Sequence, residues 1–331
     1  MNHAARMDTA HPPRSPFHAG EQALQARAGV RERIERTGRA MIRDFMPDQH
    51  REFFAAQPLV FVGSVDARGR PWASMLTGNP GFMASPDART LRVNALPVHG
   101  DPLASNLRAG APLGLLGIEL ESRRRNRANG TVTRLYQAGF ELRVEQSFGN
   151  CPQYIQARSL LSRVPGASPT VRAESQVLSE RAQALVRRAD TFFIATAAPA
   201  AGAGNPVEGV DVSHRGGKPG FVHASLEAGR SVLTAPDFRG NFLFNTFGNL
   251  LLNPRAALLF VDFDSGDLLS LTGEAEVLWD APELAAFAGA QRLFRFRVEE
   301  GRLLERASPL RWSSPVQAPQ LAATGSWDDP G

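Results

Sequence analysis

A strand-like stretch in the second half of the chain carries residues that could hold a phosphate group. Along 210–215, the two-residue period of a strand puts Ser213 and Arg215 on the face opposite the valines, and Lys218 follows three residues on. A hydroxyl, a guanidinium and an ammonium group near one another are donors that suit an anion. His214 adjoins them and joins the candidate ligand-binding residues, although such a histidine is more often packed or solvated than catalytic.

A loop between a predicted strand and a predicted helix offers a second set of anion donors. The loop spans 236–241 and precedes a helix expected over 242–252, whose first backbone N–H groups are free to bind an anion. Taken alone, these residues also fit a capped helix with a surface arginine. The loop and the helix contribute the candidate residues Asp237, Phe238, Arg239, Gly240, Asn241, Asn245 and Thr246.

The elements that carry these residues belong to the second of two copies of one domain. The first copy has Leu76 and Gly100 where the second has Arg215 and Arg239. Because neither Leu76 nor Gly100 can pair with a dianion, the sequence predicts one anion site per chain. Four blocks recur in the same order: 74–83 matches 213–222, 94–97 matches 233–236, 129–132 matches 272–275, and 140–145 matches 294–299.

Each copy reads as short strands separated by glycine and proline turns, with few helices, which is typical of a small β-barrel. The chain of 331 residues is long enough for two such domains. The predicted organisation is a disordered N-terminus (1–19), a helical arm (20–47), a first barrel (48–156), a linker (157–178), a second barrel (179–314) and a disordered tail (315–331).

The motifs at 213–222, 236–241 and 253–260 resemble the FMN-binding split barrels of the pyridoxamine 5′-phosphate oxidase-like superfamily. The closest likeness is to its flavin-nucleotide-binding members, which hold two barrels in one chain. The resemblance covers the chain from about His18 to Trp312. It implies a mainly β (α+β) fold of two tandem FMN-binding split β-barrels that form an internal pseudo-dimer, with an N-terminal helical arm.

The resemblance also implies where the cofactor lies. In that family FMN sits outside the barrel, between two barrels, and a strand of the partner barrel reaches the flavin ring. The matching strand here is 123–130 of the first copy, so the pairing of barrels could occur within one chain. The residues implied at the phosphate are Ser213, Arg215, Arg239 and Asn241, and those implied near the ring are Arg125 and Arg127.

We therefore expect an FMN-dependent oxidoreductase that acts on a small-molecule substrate, with NAD(P)H as a candidate electron donor. The residues that bind substrate in a true pyridoxamine phosphate oxidase are not recognisable, and no residue stands out as a catalytic acid or base. Two alternatives stay open. One is a non-enzymatic flavin carrier or sensor, and the other is the same fold holding a deazaflavin or haem.

The composition limits which other classes of protein the chain could belong to. The formal charge of +4 is spread over arginines, and the basic run 123–127 has no interleaved aromatic residues, so we expect no nucleic-acid partner. No stretch is apolar enough to span a membrane, and Cys151 is the only cysteine, so no intrachain disulfide can form. We expect a cytoplasmic protein without a metal site. A homodimer or a redox partner protein stays open.

Overall fold

The computed structural model describes residues 14–165, 168–285 and 287–327. The helices are α1 (Ala19–Arg27), α2 (Arg31–Met41), α3 (Asp48–Ala56), α4 (Leu103–Asn106), α5 (Glu180–Arg188), α6 (Asn245–Leu252) and α7 (Pro282–Ala285), and a short 3-10 helix spans Pro319–Ala323. The strands are β1 (Leu59–Val65), β2 (Pro71–Thr77), β3 (Met83–Asp87), β4 (Thr90–Val93), β5 (Pro112–Glu119), β6 (Arg124–Tyr136), β7 (Gly139–Asn150), β8 (Leu160–Arg163), β9 (Thr170–Glu174), β10 (Thr191–Ala197), β11 (Val210–Gly216), β12 (His223–Glu227), β13 (Arg230–Phe238), β14 (Arg255–Val261), β15 (Leu268–Leu278), β16 (Ala290–Glu305) and β17 (Leu310–Trp312).

The two halves of the chain fold into split β-barrels of the same topology. The strand order is β2-β1-β5-β6-β7-β4-β3 in the first sheet and β11-β10-β14-β15-β16-β13-β12 in the second. Each strand of the first order has its counterpart at the same place in the second, and the main pairings are antiparallel. The duplication predicted from the sequence is therefore confirmed.

The two copies share one β-bulge that requires glycine. The register shifts between Asn129 and Gly130 in the first barrel and between Thr272 and Gly273 in the second. A Cβ atom on Gly130 would lie 1.9 Å from a backbone carbonyl oxygen of β7, and one on Gly273 would lie 2.0 Å from the matching oxygen of β16. Both contacts are sterically impossible, so glycine is kept at this bulge in each copy.

One block of the sequence alignment was wrong by three residues. Val93 pairs with Phe140 in the first barrel, and Ala235 pairs with Phe294 in the second, so Val93 is the counterpart of Ala235. The cause is the β12–β13 hairpin, which is longer than the β3–β4 hairpin. If this register is continued, the counterpart of Arg239 in the first barrel is Pro97 instead of Gly100. The first copy still has no cation there.

The barrels pack against each other through the outer faces of their central strands. Phe61 of β1 and Phe193 of β10 hold equivalent places and stack with ring centroids 3.4 Å apart. Around them, an apolar cluster joins β1, β2 and β5 to β10, β11 and β14. Each barrel also has its own interior core. The internal pseudo-dimer is thus held by an apolar interface, which fixes how β6 of one barrel meets β11 of the other.

The N-terminal arm differs from the prediction. It contains two helices, α1 and α2, because Gly29 adopts a left-handed conformation (φ 68°) between them. The expected disorder over 1–19 is wrong for the part that the structure describes, since Phe17 is only 1% exposed and His18 caps α1. Residues 1–13 lie outside the described residues.

The linker and the tail are also more ordered than we expected. Within the linker, β9 pairs with β16 and so belongs to the second sheet, which begins before residue 179. In the tail, Val316 forms a bridge with Ala157, Leu321 is buried, and the indole of Trp327 donates to the carbonyl of Phe221. Single buried apolar residues of this kind produce no periodic pattern, so the sequence does not indicate that the segment is ordered. Residues 166–167 and 328–331 lie outside the described part.

Candidate functional site

A pocket lies where the second barrel meets the first. Its walls come from β11, the end of β13 and the start of α6 in the second barrel, and from β6 and the segment 150–154 in the first. The enclosed space is about 100 Å³, smaller than the ~300–1,000 Å³ of pockets that enclose a whole ligand. A head group of anion size fits inside. The expected residues that line it are Arg125, Arg127, Ser213, His214, Arg215, Asp237, Phe238, Gly240, Asn241, Asn245 and Thr246.

Arg127 of the first barrel crosses the interface and is held by the second. Its guanidinium donates to a carboxylate oxygen of Asp211 at 2.8 Å and to the hydroxyl of Ser213. Asn129 and Asn249 donate to the same Asp211 carboxylate at 2.8 and 3.0 Å. The first copy therefore contributes side chains directly to the pocket of the second.

Two hydroxyl groups meet at the start of α6. The side-chain oxygens of Ser213 and Thr246 lie 2.7 Å apart, and both residues are buried. Their position next to the first turn of an eight-residue helix adds the positive end of its dipole to the pocket.

Arg125 differs from Arg127 because no carboxylate of the described residues forms an ion pair with it. Its Nε donates to the backbone carbonyl of Cys151 at 2.7 Å. Burial, together with the neighbouring charges of Arg127 and Arg215, lowers the pKa of the Arg125 guanidinium to about 9. The group is still charged at neutral pH, in surroundings that disfavour a positive charge. An anion bound beside it would relieve this cost.

Asp237 balances part of the positive charge. One of its oxygens accepts from Nε of Arg292 at 2.7 Å, and the other lies 3.5 Å from Nε of Arg215. The lining holds four arginines, whereas only Asp211 and Asp237 pair with them. Two positive charges therefore remain uncompensated. The sequence pattern did not indicate Arg292, although the strand register pairs it directly with Asp237.

The imidazole of His214 packs at the interface between the barrels. It is 3% exposed, packs edge-on against Phe193, and its Nε2 has no hydrogen-bond partner among the described residues. Burial, followed by the charges of Arg125, Arg215 and Arg158, lowers the pKa of the imidazole well below its usual range. His214 is therefore a neutral imidazole with a free ring nitrogen.

Two of the expected residues do not line this pocket. Lys218 donates its ammonium to the carbonyl of Thr324 in the C-terminal segment. Arg239 is exposed and lies over the ring of Phe242 at 5.8 Å. The helix starts at Asn245 instead of 242, because Phe242 and Phe244 adopt left-handed conformations (φ 61° and 62°) that an α-helix does not allow.

The remaining wall is aromatic and polar. Tyr154 stacks on Phe238 with centroids 5.1 Å apart. Cys151 also lines the pocket, and the lining residues that the sequence did not indicate are Asn150, Gln153, Phe242, Phe244 and Phe247. They come from a loop and a helix start without a sequence motif, so only the fold brings them to the pocket.

The equivalent place in the first barrel is filled by the protein itself. The hydroxyl of Ser74, the counterpart of Ser213, donates to the carboxylate of Asp101 at 2.5 Å. Val171 of β9 lies against Gly100. Ser270 stands at the position of Arg127, and its hydroxyl donates to the carbonyl of Ala73. The described residues thus form one anion pocket of this kind.

Two further observations concern the described residues as a whole. No cluster of three or more histidine, cysteine, aspartate or glutamate side chains that could hold a metal ion occurs among them. None of their helices is both long enough and apolar enough to cross a membrane.

Comparison with known proteins identifies the family. The profile of the pyridoxamine 5′-phosphate oxidase family matches residues 46–170 and 178–307, one match for each barrel. No curated protein matches the chain.

Several solved structures are similar to part of the chain. A putative pyridoxamine 5′-phosphate oxidase from Lactobacillus delbrueckii is 18% identical over 32% of this chain and 95% of its own, with a TM-score of 0.26. HupZ from Group A Streptococcus is 17% identical over 31% and 93%, with a TM-score of 0.26. The heme storage protein HutZ from Vibrio cholerae is 12% identical over 39% and 95%, also with a TM-score of 0.26. Because the family profile matches both barrels, the chain belongs to the pyridoxamine 5′-phosphate oxidase family.

Proposed function

We propose that the protein binds FMN in the pocket between its barrels and uses it as an oxidoreductase. The observation that carries the proposal is the excess of two positive charges in a pocket of about 100 Å³. A phosphate monoester carries a charge of about −1.5 to −2 at neutral pH. Arg125 has terminal guanidinium nitrogens to offer, while Ser213 and Thr246 add hydroxyl groups. The charge and the donors both suit the phosphate of FMN.

The rest of the pocket suits a flat ring. Tyr154, Phe238 and Phe242 line it beyond the arginines, and aromatic walls favour stacking on a heterocycle. FMN, when bound, supplies the hydride and electron transfer. The residues of this chain hold its phosphate, shield one side of the site from water and keep positive charge near the cofactor. The substrate would bind on the open side, where NAD(P)H could also approach.

A non-enzymatic flavin carrier or sensor would use the same pocket. The two functions differ in turnover: an oxidoreductase reduces its flavin with NAD(P)H and passes the electrons to an acceptor repeatedly, whereas a carrier does not. A deazaflavin would bind by the same contacts, and its absorption distinguishes it from FMN.

Haem is a second candidate, and one observation favours it. His214 is a neutral imidazole whose Nε2 has no partner among the described residues, and neutral imidazole is the form that binds iron. Haem would require His214 to turn from the interface into the pocket.

The absorption spectrum of the purified protein tests these candidates. We expect a flavin spectrum and release of one FMN per chain on denaturation. A Soret band that His214→Ala abolishes would establish haem instead. Two FMN per chain, or stoichiometric FAD, would contradict the proposed site.

A further inference from the structure

The loop 239–242 forms one edge of the anion pocket and joins the two barrels there. The hydroxyl of Tyr154 donates to the carbonyl of Arg239 at 3.3 Å. The side-chain amide of Asn241 donates to that of Asn150 at 3.4 Å. Both partners in the first barrel line the pocket, whereas Arg239 and Asn241 are exposed. The loop therefore lies at the mouth of the pocket, where it opens to solvent.

Two arginines lie against the ring of Phe242 in this loop. The guanidinium carbon of Arg239 is 5.8 Å from the ring centroid, and that of Arg33, from helix α2 of the arm, is 5.7 Å from it. Both arginines are exposed, and no carboxylate of the described residues forms an ion pair with either. Glu35, on the same helix as Arg33, pairs with two other arginines. Two positive charges therefore stand at the mouth of the pocket without a counter-charge from the described part of the chain.

A second ring of this protein shows the same arrangement with its counter-charge present. Arg92 and Arg134 lie over Tyr136, with guanidinium carbons 5.6 and 5.0 Å from the ring centroid. There, the carboxylate of Glu141 accepts from Nε and Nη2 of Arg92 at 3.0 and 2.7 Å. Phe242 has two cations beside it and lacks such a carboxylate. An anion from outside the chain fits the place that Glu141 fills at Tyr136.

Phe242 is kept at the mouth of the pocket in an unfavourable backbone conformation. Its φ of 61° is left-handed, which phenylalanine rarely adopts, and its half-buried ring lines the pocket. Strained residues of this kind concentrate at ligand-binding sites, where the surrounding structure holds them in place. The ring attracts the two guanidinium groups by cation–π interaction. It thus keeps two cations beside the open side of the pocket.

The anion that fits these two arginines belongs to a second molecule, because the proposed function gives the enclosed space of about 100 Å³ to the phosphate of FMN. The electron donor is a molecule that must come to this open side. NADPH differs from NADH by one phosphate monoester, which carries a charge of about −1.5 to −2 at neutral pH. Arginine suits this group, because its planar guanidinium presents a fork of N–H donors that can accommodate a 2′-phosphate.

We propose that Arg33 and Arg239 bind the 2′-phosphate of NADPH and thereby make the protein prefer NADPH to NADH as its electron donor. The inference rests on the proposed function, because a donor is required only if the flavin turns over. The donor passes a hydride from its nicotinamide to the flavin and leaves as NADP⁺. NADH would leave both arginines without a counter-charge. Surface side chains change rotamer readily, so both guanidinium groups can turn toward one phosphate.

The test measures the dissociation constants of NADP⁺ and NAD⁺ for the FMN-loaded protein at pH 7, by isothermal titration calorimetry. For the wild type we expect NADP⁺ to bind roughly 10- to 100-fold more tightly than NAD⁺, the scale of charge-assisted hydrogen bonds to one phosphate. Arg33→Gln and Arg239→Gln should each weaken NADP⁺ binding by roughly 3- to 10-fold, since both arginines are exposed, and should leave NAD⁺ binding unchanged. The double variant should bind the two dinucleotides about equally. In steady-state reduction, KM for NADPH should rise with kcat unchanged.

Arg134→Gln is the matched control. Arg134 is also an exposed arginine over an aromatic ring, and its loss removes the same charge, but it lies roughly 20 Å along β6 from Arg127 and the pocket. This variant should keep the wild-type affinities for both dinucleotides. Equal wild-type affinities for NADP⁺ and NAD⁺, or binding of neither, would overturn the inference, and so would a preference for NADP⁺ that survives in the double variant. Wild-type protein that takes up no FMN would refute the proposed function instead.

Discussion

Arg125→Gln is the substitution that most directly tests the anion pocket. Arg125 is the lining arginine without a carboxylate partner among the described residues, and its guanidinium is held by the carbonyl of Cys151. Gln removes the charge, and because no buried carboxylate is left unpaired, the fold should tolerate it. Losing one charge-assisted hydrogen bond to the phosphate costs about 1.5–3 kcal/mol, which is roughly a 10- to 100-fold loss of FMN affinity.

The assay compares FMN with riboflavin by fluorescence titration of the apoprotein. FMN should lose the predicted affinity, and riboflavin should lose little, because it has no phosphate. Arg124→Gln is the control. It lies on the same strand, is exposed, and faces Phe53 instead of the pocket, so both affinities should be unchanged.

A second readout of Arg125→Gln is the reduction potential of the bound flavin. Removing a positive charge near the cofactor disfavours the anionic reduced ring, so the potential should fall if Arg125 also lies near the ring. Equal loss of FMN and riboflavin affinity would show that Arg125 does not hold the phosphate. Unchanged affinities and an unchanged potential would refute its role at the site.

Three further substitutions test neighbouring parts of the structure. Arg239→Ala should change FMN affinity by less than about threefold, because the side chain lies outside the pocket; a loss as large as that of Arg125→Gln in the same titration would contradict the structure. Arg127→Ala should lower the free energy of unfolding by about 3–5 kcal/mol, since it leaves the buried Asp211 carboxylate without its cation, and Asp211→Asn in the same chain should restore part of the loss in chemical denaturation. Asp101→Asn should raise the melting temperature at pH 8 and raise it only about a third as much at pH 4.5, and equal shifts at both pH values would contradict this.

The sign of the Asp101 prediction follows from its surroundings. Burial raises the pKa of the Asp101 carboxyl to about 6, above its unfolded value, although hydrogen bonds from Ser74 and from the backbone of Leu103 oppose the rise. The stabilisation that the protonated acid provides is present below the unfolded pKa and is lost as the pH rises through about 6. The neutral amide of Asn avoids that loss, which amounts to about 3 kcal/mol at most.

The sequence was sufficient to predict the duplicated barrels, because local steric requirements determine which residues can stand in their strands. A Cβ atom on Gly130 or Gly273 would lie about 2 Å from a carbonyl oxygen, so no other residue fits and the block survives in both copies. A glycine that is required for steric reasons can still be recognised in a sequence when the side chains around it differ. The contribution of Arg125 and Arg127 followed from alternation along one strand and from the resemblance to the family.

The parts that the sequence did not predict depend on the path of the backbone. Phe242 and Phe244 adopt left-handed conformations that phenylalanine rarely takes, so nothing in the sequence marks that α6 starts at Asn245 instead of 242. Phe17 and Leu321 are single buried anchors in segments of otherwise polar and small residues.

Comparison of the two copies explains why one chain forms one site. In the second copy, the hydroxyl of Ser213 accepts from Arg127 and lies 2.7 Å from the hydroxyl of Thr246, in a pocket also lined by Arg125, which has no carboxylate partner among the described residues. In the first copy, the counterpart Ser74 already donates to an internal anion, the carboxylate of Asp101. A cation restored by Leu76→Arg would therefore meet Asp101 before any phosphate could bind. We expect Leu76→Arg to leave the stoichiometry at one FMN per chain, and release of two on denaturation would refute this account of the asymmetry.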